Sequence, residues 1–466
     1  MAVIIQPSLF SWQDVDALSD LGRLKLVLGA IPDEELVTAL ERRRANGRNT
    51  YPVRPTWNAL LAGIVFQHPT VESLLRELRR NGELRDACGF DPLLGADAVP
   101  SSSAMSHFMA NVIEEQVLIN TMFSDLVKTV SQLIPGFGKH LAFDGKAIPS
   151  YSTGRTSKTT GEASDPDARW GTKTYRGTKS DGSPWEKVQR WFGYQLHLIV
   201  DAESELPVAF EVLPANASEA KRFPVLLDQL AKDQPAIIFD VAEFCSADRG
   251  LDSAEINRKL LDELSIKPII DTRRMWSIEK KDGGLKPDQE ITRPLDPNHY
   301  DNIVYNERGT LFCVCPVSGE LRKMCFRGYE ADRGAVAWRC PAAAYGLACA
   351  GREECEAAAL GRLTAYGRIV RVNLDLDRRI FTPVPRDTTS WYRHYAKRTS
   401  VERVNSRIDQ VLGFERHTIR GLAKMQARLG LALVVMLAMA VGRIRQGAHD
   451  KIRSIVAPSL PLSQAA

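Results

Sequence analysis

Residues Trp391–Arg428, WYRHYAKRTSVERVNSRIDQVLGFERHTIRGLAKMQAR, decide how the rest of the chain is read. Tyr395, Arg398, Glu402 and Asp409 follow one another at steps of three, four and seven. As one helix, that spacing puts all four on roughly one face. A single carboxylate, Glu402, then sits among Arg398, Arg403 and Arg407. Two readings fit: a solvated helix carrying i,i+4 ion pairs, or a carboxylate that holds a metal while its neighbours hold a phosphate backbone. Matching carboxylates upstream decide between them.

Composition sets the limits. The 466 residues allow two to three domains and a sizeable core. With 44% hydrophobic and 25% charged residues the chain reads as a soluble globular protein. Sixty-one basic against 57 acidic residues leave a net charge of only +4, so the whole-chain charge does not mark a nucleic-acid binder. The basic residues are nevertheless concentrated around 391–428, a local patch. The opening MAVIIQPSLFSWQDVDALSD has no basic segment followed by a long apolar run, so no secretory signal is expected. The longest apolar stretch, Leu429–Val441, falls short of the ~20 residues a spanning helix needs. It is expected to be a buried helix, with no membrane partner and a cytoplasmic location. Six of the eight cysteines, Cys313, Cys315, Cys325, Cys340, Cys349 and Cys355, fall in one region. A reducing compartment argues against a disulfide framework there. Their spacing is not the paired two-residue kind, which leaves structural zinc and free buried thiols both open.

Along the chain, residues 1–135 carry helical apolar spacing and are expected to form an all-helical domain. Val71, Leu74, Leu75 and Leu78 make one stripe, with Thr70 as its cap and Glu72 and Ser73 in the first turn. A single helix is expected from about Met105 to Leu133. At Pro135 the periodicity changes: HLAFDGKAI alternates like a strand and carries Asp144. Ser150–Lys187 has no repeated apolar spacing and reads as a long loop, whose Lys158, Lys173, Arg176 and Lys179 are candidate phosphate contacts. FGYQLHLIVD and LPVAFEVLPAN form a hairpin across AESE, with His197 packed in the sheet and Asp201 at the turn. Asn216 and Glu219 suggest a capping box opening the next helix. AEFCSADRG is a strand ending at Asp248, Asp252 and Glu255 open a helix, with Asp252 as its cap, and KPIIDTR is a further strand. Residues 274–385 interrupt this order with short β-like runs and many Gly and Pro, a β-rich insertion. Trp276 is read as packing at its edge, with base stacking the alternative. The segment 386–450 returns to helices, and 451–466 is a flexible tail.

A hairpin followed by strand–helix–strand units implies a mixed sheet, antiparallel first and then parallel. If the strands ending near Asp144 and Asp248 are neighbours, the two carboxylates emerge at one rim, where sites in open α/β sheets form. Asp248 is preferred to Asp240 because Gly250 and Asp252-Ser253 suit a tight strand-to-helix turn. Asp144, Asp248 and Glu402 are then candidates for one metal-holding site, since two Mg²⁺ ions about 3.5–4 Å apart need hard oxygen ligands.

These residues resemble the DDE transposases of bacterial insertion sequences. LAFDGKAI resembles the strand of their first Asp, ADRGLDSAEIN the motif of their second, and YAKRTSVERVNSRID their tyrosine-arginine-glutamate-lysine signature. The likeness runs over roughly residues 50–440. It implies an α/β, ribonuclease-H-like catalytic core: a mixed five-stranded sheet with flanking helices, in two parts, 136–273 and 386–450, split by the insertion. It implies that Asp144, Asp248 and Glu402 are catalytic and bind two Mg²⁺ ions, with Mn²⁺ as a substitute, and that Tyr395 and Arg398 contact DNA, with Arg403 and Arg407 beside them. The partners implied are double-stranded DNA, as transposon terminal repeats and target, and a second copy of the chain on DNA, in a bacterial cytoplasm near the nucleoid. Three departures stand out: Asp409 replaces the signature lysine, Gln195 stands where a lysine is frequent, and Leu251 replaces an aromatic. A two-metal nuclease without strand transfer, or an inactive DNA-binding descendant, are the alternatives.

Overall fold

The computed structural model describes residues 21–44, 50–156, 163–179, 183–273, 276, 291–296, 302–355, 361 and 366–457. Lys158, the first twenty residues and the tail from 458 onward lie outside them. The chain divides into two compact units. One comprises Met1–Gly138, Asp144–Ile237 and Ser400–Ala466, the other Lys139–Phe143 and Ile238–Thr399.

In the first unit the helices α1 (Leu21–Leu28), α2 (Glu34–Arg44), α3 (Val53–Val65), α4 (Val71–Arg80) and α5 (Gly82–Cys88) follow the apolar spacing of the sequence. Thr70 caps α4 as expected: its hydroxyl accepts from Ser73 N, Ser73 Oγ answers at Thr70 N, and Leu74, Leu75 and Leu78 are buried. The single helix expected from Met105 to Leu133 is two, α6 (Ser102–Glu114) and α7 (Gln116–Leu133). At Glu115 the backbone N–H turns to Val112 O, three residues back, which ends the α-helical ladder.

The longest helix, α13 (Leu422–Arg445), is apolar on all sides, and such a helix must be covered on all sides. It is long and apolar enough to cross a membrane, but 94% of its most apolar window is buried inside the protein. It packs on α7, on α1 and on strand β4 (Leu206–Pro214), as a core helix. Two glycines let it approach. A Cβ on Gly430 would lie 2.9 Å from Ile119 of α7, and one on Gly442 would lie 2.9 Å from Cβ of Leu26 of α1.

β1 (His140–Pro149) runs through both units, and β3 (Pro184–Asp201) is the long strand of the first. Tyr194–Asp201 of β3 pairs antiparallel with β4, the expected hairpin. At its turn buried Asp201 accepts from Ser204 N, Ser204 Oγ and Gly138 N. His197 is fully buried in β3, and burial pushes its imidazole down to about 4. Pro184–Gly193 pairs instead with β2 (Arg169–Thr178), so Ser150–Lys187 is not one long loop. The segment is held by Asp165, buried in the first unit, which accepts from Ser150 Oγ, Tyr194 Oη and Gly421 N. The hydrogen-bonded strand order is β2-β3-β1-β5-β6 with β4 also on β3, six strands where five were expected, β2 being the addition. α8 (Glu219–Asp233) is preceded by Ser218 without a side-chain cap, so the capping box expected at Asn216 does not form.

In the second unit β1 pairs in parallel with β5 (Phe244–Ala247), and β5 in parallel with β6 (Lys267–Ile270). Short helix α9 (Ala254–Arg258) links β5 to β6. Two antiparallel sheets follow: β7 (Thr292–Pro294), β8 (Ile303–Asn306), β9 (Leu311–Val314) and β10 (Leu321–Lys323), then β11 (Cys325–Glu330), β12 (Ala335–Arg339) and β13 (Ile369–Asn373), with the short helix α10 (Pro341–Tyr345) after β12. Leu311, Met324, Trp338, Leu374 and Phe381 form their common core. Trp276 packs at its margin under Arg293, which gives it a packing role.

Gly442→Ala should therefore strain the α13–α1 contact, at a cost of about 1–3 kcal/mol for overpacking. Calorimetry should show a lower melting temperature; an unchanged one would mean that Leu26 moves aside freely.

Candidate active site

Asp144 lies in the middle of β1 and is half-buried, because the polar end of the strand leaves the core there. Within the first unit it faces α12 (Thr399–Gln410): Asn405 Nδ2 donates to its Oδ2 at 3.5 Å. Lys146, two residues on and so on the same side of the strand, pairs with Asp409 at 2.5 Å. Glu402, Asn405 and Asp409 stand at helical steps of three and four, so two members of this helix face touch β1 and Glu402 is the third. Glu402 itself is exposed. Asp409, the acidic departure from the signature, thus has its charge offset by Lys146.

Gly145 is fixed by close approach. A Cβ there would lie 2.3 Å from Glu219 Oε1 and 2.7 Å from Gln195 Nε2. Gln195 donates to Glu219 at 2.6 Å, which accounts for an amide where the resemblance expects lysine. Arg403 and Arg407 both reach Glu205, at 2.7 and 3.1 Å. Arg407 also donates to Glu205 O and Arg453 O. Burial lowers the pKa of Arg407, with Glu205 opposing the shift, so this guanidinium is engaged inside the protein while Arg403 stays half-exposed.

In the second unit Ala142 of β1 stands opposite Ser246 of β5. Asp144 and Asp248 each follow that pair by two residues along the chain. Asp248 is half-buried and caps a single 3₁₀ turn, Arg249–Leu251, by accepting from Arg249 N. Asp240, in contrast, lies exposed on a one-turn π-helix, Ile237–Val241. Asp252 is not the cap of α9; Ser253 is, accepting from Ile256 N. Asp252 is fully buried, accepts from Arg273 N and pairs with Arg379 at 3.1 Å and Arg386 at 3.4 Å. Burial pushes the Arg386 guanidinium down to about 10, with Asp252 and Asp271 opposing.

Tyr395 and Arg398 are not on the helix that carries Glu402. α11 (Thr389–Ala396) ends where Lys397 N and Arg398 N turn to carbonyls three residues back, and α12 starts afresh at Thr399. Tyr395 stacks on Trp391 with ring centroids 4.5 Å apart, and Arg398 lies 5.7 Å over the Tyr395 ring. Burial raises the pKa of the Tyr395 phenol, Arg398 opposes, and Asp271 and Asp248 add to the rise. The second unit therefore brings Tyr395, Arg398 and Asp248 into one electrostatic neighbourhood. Sequence reasoning missed His140 and His394 beside them. The two rings stack at 5.4 Å, His140 bonds Ser246 Oγ, and burial with Lys397 pushes His140 down to about 3.

All eight cysteines are free. Burial pushes the Cys313 thiol up to about 12, and nearby Cys355, Cys340 and Cys349 add to it. Among the described residues no group of three or more His, Cys, Asp or Glu is gathered to hold a metal ion.

Asp252→Ala should destabilise the protein by about 3–5 kcal/mol, because it leaves Arg386 charged and buried without its acid. Chemical denaturation of the variant checks this. Near-native stability would show that the carbonyls of Ile270, Arg379 and Ile380 suffice for Arg386.

Comparison with known proteins gives two family matches. Residues 135–323 match the Transposase DDE domain, and residues 14–111 match a Transposase domain (DUF772). No curated protein matches the chain. Among solved structures it is similar to a piggyBac transposase synaptic complex with hairpin DNA, at 11% identity and TM-score 0.35, over 96% of this chain and 80% of that one.

Proposed function

The chain is a member of the DDE transposases of the insertion-sequence kind, and from that premise we propose that it cuts transposon ends and joins the freed 3′-OH ends to target DNA. In this reading 136–273 and 386–450 form a ribonuclease-H-like core, 1–135 a helical N-terminal domain and 274–385 an insertion. The segment from Tyr395 through α12 is read as the tyrosine-arginine-glutamate-lysine type. The observation that carries the proposal is the seating of α12 on β1 through Asn405–Asp144 and Asp409–Lys146, one turn from Glu402. The parallel pairing of β1 with β5 supports it, since ligands in α/β sheets collect beyond the carboxyl ends of neighbouring parallel strands.

Asp144, Asp248 and Glu402 are the proposed catalytic carboxylates. They offer only hard oxygens, which suits Mg²⁺ or Mn²⁺ and leaves coordination positions for phosphate and water. When bound, two such ions supply activation of the attacking hydroxyl and stabilisation of the leaving 3′ oxygen. The protein's own residues hold and orient. Asn405 restrains the Asp144 carboxylate, and Lys146 keeps Asp409 from adding uncompensated negative charge. Arg398 offers a planar fork to a phosphate beside Asp248, and Tyr395 gives it a stacked, protonated phenol. Arg403 is a second phosphate contact, while Arg407 holds Glu205. Double-stranded DNA is the proposed partner, as terminal repeats and as target, with two copies of the chain pairing the ends in the bacterial cytoplasm.

The test uses purified protein and duplexes carrying the sequences that flank its own gene. Wild type should release 3′-OH ends with Mg²⁺ or Mn²⁺ and join them to added target, whereas Glu402→Gln should bind DNA without cutting. Full cleavage by Glu402→Gln would sink the site. Cleavage without joining would leave a nuclease, and binding without cleavage an inactive descendant. Separately, Arg398→Ala should weaken binding and flatten the dependence of log K on log salt by about 1, as loss of one phosphate contact requires. An unchanged slope would remove Arg398 from the DNA.

A further inference from the structure

The β2–β3 pair continues beyond the part of the sheet that packs on the protein. Thr172–Thr178 and Pro184–Arg190 form seven registered pairs, which at about 3.4 Å per residue make a ribbon roughly 24 Å long. Every residue from Pro184 to Arg190 is exposed. A two-stranded ribbon is marginal on its own in water, and the β3 half of this one carries Trp185 at 39% and Val188 at 46% exposure. Its base is firm. Trp191 lies across Gly171, where a Cβ would be 2.5 Å from the indole, and its Nε1 donates to Tyr194 O. Trp170 and Phe192 meet at 5.5 Å over Gly154. The ribbon is thus anchored at one end and offered to solvent along the rest.

Its chemistry is one-sided. Among the described side chains of 172–190, Lys173, Lys179, Lys187 and Arg190 face only one acid, Glu186. Alternation puts Trp185, Lys187 and Gln189 on one face of β3, and the register places Lys173 opposite Gln189 on that face. Lys and Gln donate to base edges and phosphates. The major groove, about 12 Å wide, admits a two-stranded ribbon.

We propose that the β2–β3 ribbon is an arm that grips duplex DNA, seating its Lys173–Gln189–Lys187–Trp185 face in the major groove. The proposal rests on the reading of the chain as a DNA-processing enzyme. It adds a surface that this reading does not require.

The experiment titrates full-length protein against a fluorescent duplex of about 40 base pairs over a range of salt, with Lys173→Ala/Lys187→Ala and Lys187→Arg as variants. The double variant should bind at least about ten-fold more weakly and flatten the salt slope by about 1.8, two contacts at about 0.9 each. Its melting temperature should stay close to that of wild type, because neither side chain is buried. Lys187→Arg should retain binding. If wild type binds the duplex and the double variant matches it in affinity and slope, the arm is overturned while the transposase reading stands. If the double variant instead loses self-association with DNA binding intact, the face belongs to a second copy and the proposal is likewise overturned. If wild type binds no duplex at any salt, both readings fail.

Discussion

The carboxylate of Glu205 holds the helix on which the proposed chemistry depends. Its side chain is only 7% exposed, and Arg403, Arg407 and Arg453 all close on it. The residue sits at φ 56°, a left-handed backbone that a residue with a Cβ adopts only at a cost. The turn between β3 and β4 accepts that cost because it delivers an acid to two arginines one turn apart on α12. Val401, Val404 and Ile408 bury the adjoining face of the same helix. Rotation about its axis would therefore expose three aliphatic side chains and strand a buried carboxylate. A glutamate on such a helix points where it is put, and preorganisation of this kind is what a metal-binding carboxylate needs.

The same logic explains why the arginines of this chain are a poor guide to its ligand. Arg386 is fully buried and spends its donors on the carbonyls of Ile270, Ile380 and Arg379 and on Asp252. Arg308 joins Asp387 and Asp271 beneath Trp391. Both replace a backbone ladder in segments that lack one, satisfying carbonyls that would otherwise be buried bare. Charge counted along the sequence mixes these structural cations with those left at the surface.

Much of the architecture was legible, and the parts that were not share a cause. The β3–β4 hairpin, the Thr70 cap and the buried α13 rest on local signals, alternation, a cap and an unbroken apolar run, and all three formed as read. The order of elements implied a mixed sheet, within which the neighbouring of β1 and β5, left as a condition by the sequence, is met by their parallel pairing. Several of the failures turn on breaks and contacts that the residue pattern does not carry. The break after Ala396 leaves the helical spacing of Tyr395 and Glu402 intact on paper while placing them on different helices. β2 spreads its Trp, Tyr and Thr among Gly, Lys and Arg without a repeated apolar alternation, and only its pairing with β3 marks it as a strand. Asp252 has the look of a cap, and only its contacts with Arg379 and Arg386, more than a hundred residues away, reveal an ion-pair centre.

The departures from the signature that the chain resembles also take on meaning only through partners. Asp409 in place of lysine would leave an isolated negative charge near Glu402 if nothing met it. Lys146 meets it from the strand that carries Asp144. The cation that the resemblance expects on the helix stands on the strand, two residues beyond Asp144, the first of the proposed catalytic carboxylates. Gln195 follows a similar pattern, since a neutral amide suffices to hold Glu219 against Gly145, where no side chain fits. Reading each position alone, both changes subtract a positive charge from the site. Reading the contacts, the first is a swap that preserves local neutrality and the second a packing solution. The charge balance around Asp144 is thus set by strand and helix together.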